Sequence, residues 1–189
     1  MKKITVILLV TIVLIGCNDK RILIDELINK GTEELPLMYY QGKLFNGIGY
    51  DIYRNGKLRL EGEINDGKYE GKWKEWRATG ELWVEHPFKN SMRDGKIKSW
   101  HQNGQLAWEG YIEKAKYVGL HKRWYENGQL KSERNWKDDK WKGFCKTYYQ
   151  NGQLKSKGSY KGIYANSSSN NKVGMWKYYH EDGREDTSY

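Results

Sequence analysis

The chain copies itself every 24 residues. Gly47, Gly71, Gly95, Gly119 and Gly143 are spaced at that interval, and Gly174 follows after 31 residues. With each glycine counted as offset zero, a second glycine falls at offset nine in all six units: Gly56, Gly80, Gly104, Gly128, Gly152 and Gly183. Asn or Asp precedes that glycine everywhere except at Thr79. Offset eleven is Leu58, Leu82, Leu106, Leu130 and Leu154, lapsing only at Glu185. A period of this length describes small units that cannot bury an apolar face alone and must stack on their neighbours.

Each unit reads as a β-hairpin. Glu126-Asn127-Gly128 and Gln150-Asn151-Gly152 suit a three-residue loop, a type I turn closed by glycine in the left-handed region. Such a loop sets offset five across from offset eleven, so Trp124 meets Leu130 and Trp100 meets Leu106. Pairs of this kind contribute about 0.2 to 1 kcal/mol each over Ala pairs. On the second strand, offsets eleven, thirteen, fifteen and seventeen are expected on one face, with charges such as Arg59, Glu61, Lys131 and Glu133 on the other. The first strand is less regular, because Trp73, Ile97 and Trp176 at offset two differ in parity from offset five. Either a bulge separates the two positions or both faces carry aromatics. The glycine at offset zero is expected to lie bare beneath a neighbouring ring. The fold expected is therefore all-β: an elongated single-layer antiparallel sheet of hairpins over residues 37–189, with repeats starting near 47, 71, 95, 119, 143 and 174. Twelve strands at roughly 4.8 Å would make a ribbon about 55 Å long. The extra residues before the sixth unit, around Asn166 to Asn171, read as a solvent loop.

The composition fits a thin ribbon. With 9 Trp and 15 Tyr against 3 Phe, and a mean hydropathy of -0.94, flat amphipathic rings must do the covering that aliphatic side chains do elsewhere.

Residues 1–16 have the form of a signal peptide: Met1-Lys2-Lys3, then an apolar stretch from Ile4 to Gly16 too short to span a bilayer. Leu14-Ile15-Gly16-Cys17 resembles the lipobox of bacterial lipoproteins. That resemblance implies a diacylglyceryl group on Cys17, which becomes the new N-terminus. The mature chain would then be lipid-anchored to a bacterial membrane on its extracytoplasmic side. Residues 17–36 read as a tether. In it Ile22, Leu23, Leu27 and Ile28 recur at helical spacing around Asp25 and Glu26, predicting a short N-terminal helix that ends near Gly31 and caps the first repeat. The formal charge of +9 falls to +7 without Lys2 and Lys3, which favours anionic partners at a surface. Nucleic acid is not expected outside the cytoplasm. Cys145 has no second thiol to pair with once Cys17 is acylated, and is expected to be buried as a small hydrophobe.

The pattern Gly-x-aromatic-x-x-aromatic-x-x-Asn-Gly-x-Leu resembles the bacterial variant of the MORN repeat, found in proteins grouped with the YwqK antitoxin family. The run from Gly119 to Leu130 is a clean copy, and Gly71 to Trp76 another. The first unit departs, with Gly49 and Ile52 at aromatic positions, and the last is expected to lack its second strand. The resemblance implies a single-layer sheet, protein or lipid binding, no enzymatic residues, and an antitoxin or immunity role as one alternative. A weaker likeness is to the choline- and glucan-binding repeats of cell-wall proteins, through Tyr148-Tyr149 and Tyr178-Tyr179.

Two columns are candidate binding sites. Lys74, Lys98, Lys122, Lys146 and Lys177 share offset three, about 10 Å apart, a spacing suited to an anionic envelope polymer such as teichoic acid or to phospholipid headgroups. The competing reading is a solvated stripe balanced by Glu61, Glu85, Glu109 and Glu133. Trp76, Trp100, Trp124, Tyr148 and Tyr179 share offset five, where they stack sugars, cage cations or simply form the thin core. His86, His101, His121 and His180 have no ligand spacing, and no phosphate loop or nucleophile elbow is present. No catalytic residue, metal or cofactor is expected. The function expected is that of a scaffold that binds a protein partner.

Overall fold

The computed structural model describes residues 20–164 and 172–188. The leader, Cys17 and the segment around Asn166 to Asn171 lie outside the described residues. Six consecutive hairpins form one sheet in which each strand pairs with its neighbours in sequence. Their strands are Gly47–Ile52 with Leu58–Asn65, Lys68–Trp76 with Leu82–Lys89, Gly95–Trp100 with Leu106–Glu113, Lys116–Trp124 with Leu130–Lys137, Lys140–Tyr148 with Leu154–Tyr164, and Lys172–Tyr179 with Glu185–Asp186. The sixth unit thus has a second strand after all, cut to two residues.

The tips close as their sequence requires. In the first hairpin the Tyr53 N–H donates to the Lys57 carbonyl at 2.8 Å, and Gly56 sits at φ +79°. Tips of successive repeats are then joined by side chains. The Tyr125 hydroxyl donates to the Tyr148 carbonyl at 2.8 Å, and Tyr149 to that of Tyr179 at 2.9 Å. Asn127 Nδ2 donates to the Gln150 carbonyl at 2.9 Å and Asn151 Nδ2 to that of Glu181 at 2.9 Å. At the other ends, two-residue turns such as Asp138-Asp139 have positive φ at both positions, the geometry that matches strand twist.

Two kinds of bulge settle the parity problem. Within each hairpin, Ser99 lies opposite Trp108 but Trp100 opposite Leu106, so the residue at offset twelve, here Ala107, is extra. The same shift occurs in the other long hairpins. The leucine at offset eleven consequently leaves the face of offsets thirteen, fifteen and seventeen and joins the ring at offset five on the opposite face. Both sequence alternatives hold together: there is a bulge, and both faces carry aromatics. Between hairpins, Glu109 pairs with Lys122 and Tyr111 with Val118, two residues against four. The glycine at offset zero occupies this second bulge, with φ +69° at Gly119 and +85° at Gly143, and a Cβ there would meet nothing within 4 Å. At these positions no ring covers the glycine, contrary to expectation, and backbone conformation demands it; at Gly47 a Cβ would still lie 3.0 Å from Phe45 Cζ. The covered glycines are Gly62, Gly110 and Gly158 at offset fifteen, beneath Trp73, His121 and Trp176 of the following repeat.

The buried face carries offsets two, thirteen and seventeen. Trp73 and Ile64 are 1% exposed, and Ile97, Ile112 and Cys145 are also buried. Over repeats one and two, the chain's own N-terminal segment closes this face. Arg21–Leu23 adds a parallel strand to the edge of the first hairpin, a 3-10 turn follows at Ile24–Glu26, and Ile28–Asn29, Met38–Tyr40 and Lys43–Leu44 form a small separate sheet. Leu27, Met38 and Phe45 pack on Ile64 and Trp73. The short amphipathic helix expected here is absent. A helix this short is marginal without tertiary packing, whereas the edge strand satisfies an otherwise open row of backbone groups, as in the Ile48 N–H donating to the Lys20 carbonyl at 2.8 Å.

Buried histidines make this fold sensitive to acid. Burial, and then the charge of Arg93, hold the His86 pKa at about 4 although the Glu75 carboxylate is 3.6 Å away, and burial lowers that of His121 as well. The unfolded chain therefore takes up protons first: the stabilisation is complete above pH ~6.5 and is lost as pH falls toward about 4. Unfolding free energies from urea denaturation are expected to drop through that window by an amount approaching 3 kcal/mol, and by much less in His86→Gln. An equal drop in both proteins would remove His86 as the cause.

Candidate functional site

The two faces of the ribbon differ in charge. On one, lysines at offset three and glutamates at offset fourteen alternate strand by strand. Lys74 lies between Glu61 and Glu85, Lys98 between Glu85 and Glu109, and Lys122 between Glu109 and Glu133. Lys122 is 3.4 Å from Glu133, and Lys72 and Lys96 add pairs to Glu85 at 3.1 Å and Glu109 at 2.8 Å. Over repeats two to four the column is thus neutralised within the sheet. The alternation ends where Lys157 replaces glutamate, so that Lys146, Lys157 and Lys177 stand on adjacent strands, the last bound to Glu185 at 2.8 Å.

The rings at offset five share this face, near the hairpin tips. Trp76, Trp100, Trp124, Tyr148 and Tyr179 are half-buried and belong to neither buried cluster. The two tyrosines among them meet charge. The Tyr148 hydroxyl donates to Glu133 at 3.0 Å, and burial followed by that carboxylate pushes its pKa up to about 12. Lys157 Nζ lies 5.7 Å from the centre of the Tyr179 ring.

The opposite face carries a different set of aromatics, in one unbroken row. Trp108 and Tyr117 have ring centres 5.7 Å apart, Tyr117 and Trp136 5.2 Å, and Trp136 and Trp141 6.0 Å. Trp141 and Tyr160 follow at 5.3 Å, then Tyr160 and Trp176 at 5.1 Å. These rings are half-buried, while Trp73, their counterpart under the N-terminal cap, is closed off. Cations are interleaved: the Arg134 guanidinium stacks 4.2 Å from the Trp141 ring, and Lys172 Nζ lies 4.8 Å from Trp176. No Asp or Glu occupies offsets zero, two, four, twelve, thirteen, fifteen or seventeen in repeats three to five. Over repeats three and four this face is positive and aromatic where the other is balanced.

Sequence reasoning singled out the offset-five rings and missed this row. The signal was available in Tyr69, Tyr117 and Trp141, which recur five residues after offset seventeen, and in Trp136 and Tyr160 at offset seventeen itself. Cys145 is buried as expected, and burial raises its thiol pKa. Among the described residues, no three His, Cys, Asp or Glu side chains come together as a metal-ligand set.

A family model described as MORN repeat variant matches residues 69–90, 93–111, 117–138 and 145–161. Four segments of the chain are thus similar to MORN-variant repeats, each beginning on or near the first strand of a hairpin in the middle of the ribbon. No curated protein matches the chain.

Proposed function

We propose that this chain of MORN-variant repeats is a non-catalytic binding scaffold, held by an acylated Cys17 at the extracytoplasmic surface of a bacterial membrane and docking a protein partner on its aromatic face. The observation that carries the reading is the row from Trp108 to Trp176. The N-terminal segment covers the same face with Leu27, Met38 and Phe45 over repeats one and two, and over repeats three to six the row continues half-buried. Half-buried rings interleaved with arginine and lysine, without carboxylates, are complementary to a partner that presents apolar side chains flanked by acidic ones. The leader and the Leu14-Ile15-Gly16-Cys17 motif support the anchor.

The test compares three forms of the full chain in detergent-solubilised envelope. A partner captured by the unaltered protein is expected to be lost with Trp141→Glu and retained with Lys74→Glu on the balanced face. Capture that survives Trp141→Glu in a folded protein would reject the aromatic face as the docking surface. An exported toxin as the captured partner would select the immunity role. Mass spectrometry of the mature amino terminus tests the anchor, which an unmodified Cys17 would remove.

A further inference from the structure

Offset thirteen changes character along the ribbon. It holds Leu60, Val84 and Trp108 in the first three repeats, then Ser132 and Ser156. The loss of bulk opens a cleft of about 240 Å³ on the aromatic face, where Arg123 lies opposite Ser132 and Ser132 opposite Thr147. Arg134 enters diagonally from the neighbouring row, since it pairs with His121 two residues before Arg123. Lys131 and Lys155 reach the same cleft because both are the extra residue of the bulge at offset twelve.

The geometry points to an oxyanion-binding site in this cleft, one that takes a phosphate group, free or as a monoester, between Arg123 and Arg134. Four cations line it and none of the eight lining residues is acidic. Arg134 Nε is buried with no hydrogen-bond partner among the described residues, a donor left unsatisfied until an acceptor arrives. Arg123 stands beside Arg134, a like-charge contact that an anion relieves. A carboxylate carries one negative charge. A phosphate monoester carries about 1.5 to 2 at pH 7, with three acceptor oxygens for the two guanidinium groups; the Thr147 hydroxyl beside them is held by Ser156 Oγ at 2.6 Å. The cleft shares Arg134, through its stack on Trp141, with the face proposed to dock a protein, so phosphate binding is measured on the chain alone, without a partner.

Calorimetric titration of the purified full chain with inorganic phosphate at low ionic strength tests it. Saturable one-to-one binding is expected, with acetate at least about tenfold weaker. Arg123→Gln and Arg134→Gln should each weaken phosphate binding by about tenfold or more, Arg134→Lys less, and Lys74→Gln not at all. Arg123 has an open side chain, so its variant keeps the fold even where loss of the Arg134 stack on Trp141 loosens it. Dihexanoyl phosphatidic acid, a soluble lipid phosphate, distinguishes the source: tighter binding than inorganic phosphate assigns a headgroup, equal or weaker binding a soluble phosphate. Phosphate no better than acetate, or binding undiminished in a folded Arg123→Gln protein, overturns the site.

Discussion

Gly62→Val is expected to lower the stability of this protein by about 3 kcal/mol or more, a fall in melting temperature of roughly 6–12 °C for a chain of this size. A Cβ at Gly62 would lie 2.1 Å from Cδ2 of Trp73 and 2.3 Å from Cε2 and Cγ. The indole has nowhere to go. It is 1% exposed, its Nε1 donates to the Glu63 carbonyl at 3.1 Å, and the Tyr69 ring is centred 4.2 Å away. The same arrangement recurs at Gly110 beneath His121 and Gly158 beneath Trp176, with Trp176 Nε1 donating to the Ser159 carbonyl at 3.2 Å. At the two intervening junctions the sizes invert, with His86 followed by Ile97 and Arg134 facing Cys145. Large over bare and small beside large thus alternate along the ribbon, a pattern of two repeats laid over the period of one. It follows that transplanting the inverted pair as Gly62→His with Trp73→Ile should be far milder than its parts. The single changes are expected to cost about 3 kcal/mol or more each, by overpacking and by a cavity respectively. The double should recover a coupling of about 2 kcal/mol. Strict additivity of the two in urea denaturation would show that the rings and glycines do not act as pairs.

This alternation marks the limit of what the period makes legible. Hairpins, tips and the single sheet follow from Asn-Gly and from leucine at fixed offsets, because turn chemistry is local and each copy repeats the evidence. The face of each side chain does not follow, because one extra residue at offset twelve reverses parity without leaving a glycine or proline to announce it. Lys131 and Lys155 occupy that position as readily as Ala107 or Trp83. For the same reason the offset-five rings looked like core, while the actual core at offset two hides in residues as unlike as Trp73, Ile97, His121 and Cys145. Their common trait is complementarity to a neighbour's size, which no column of residue types displays. The lysine column was legible, and so was the glutamate column that balances it; only the register, strand against strand, shows that they interleave.

Phe45→Ala is expected to open one end of the molecule and leave the other intact. Phe45 is 3% exposed and closes the cap over Ile64 and Trp73 together with Leu27 and Met38. Truncating a buried phenylalanine costs about 3–5 kcal/mol. In a compact domain that loss would be felt everywhere. In a ribbon whose repeats touch only their neighbours, it falls on the units under the cap, and stability further along depends on junctions the substitution does not reach. Hydrogen exchange should therefore speed up across residues 21–76, where the parallel edge strand, the small sheet and the first hairpin share this cluster. Amides of residues 116–160 should keep their protection, since their rings, from Tyr117 to Tyr160, form a row of their own. A uniform increase along the whole chain would mean that the hairpins unfold as one cooperative unit, and the uncovered aromatic face would then be part of a single core rather than a surface free to receive a partner.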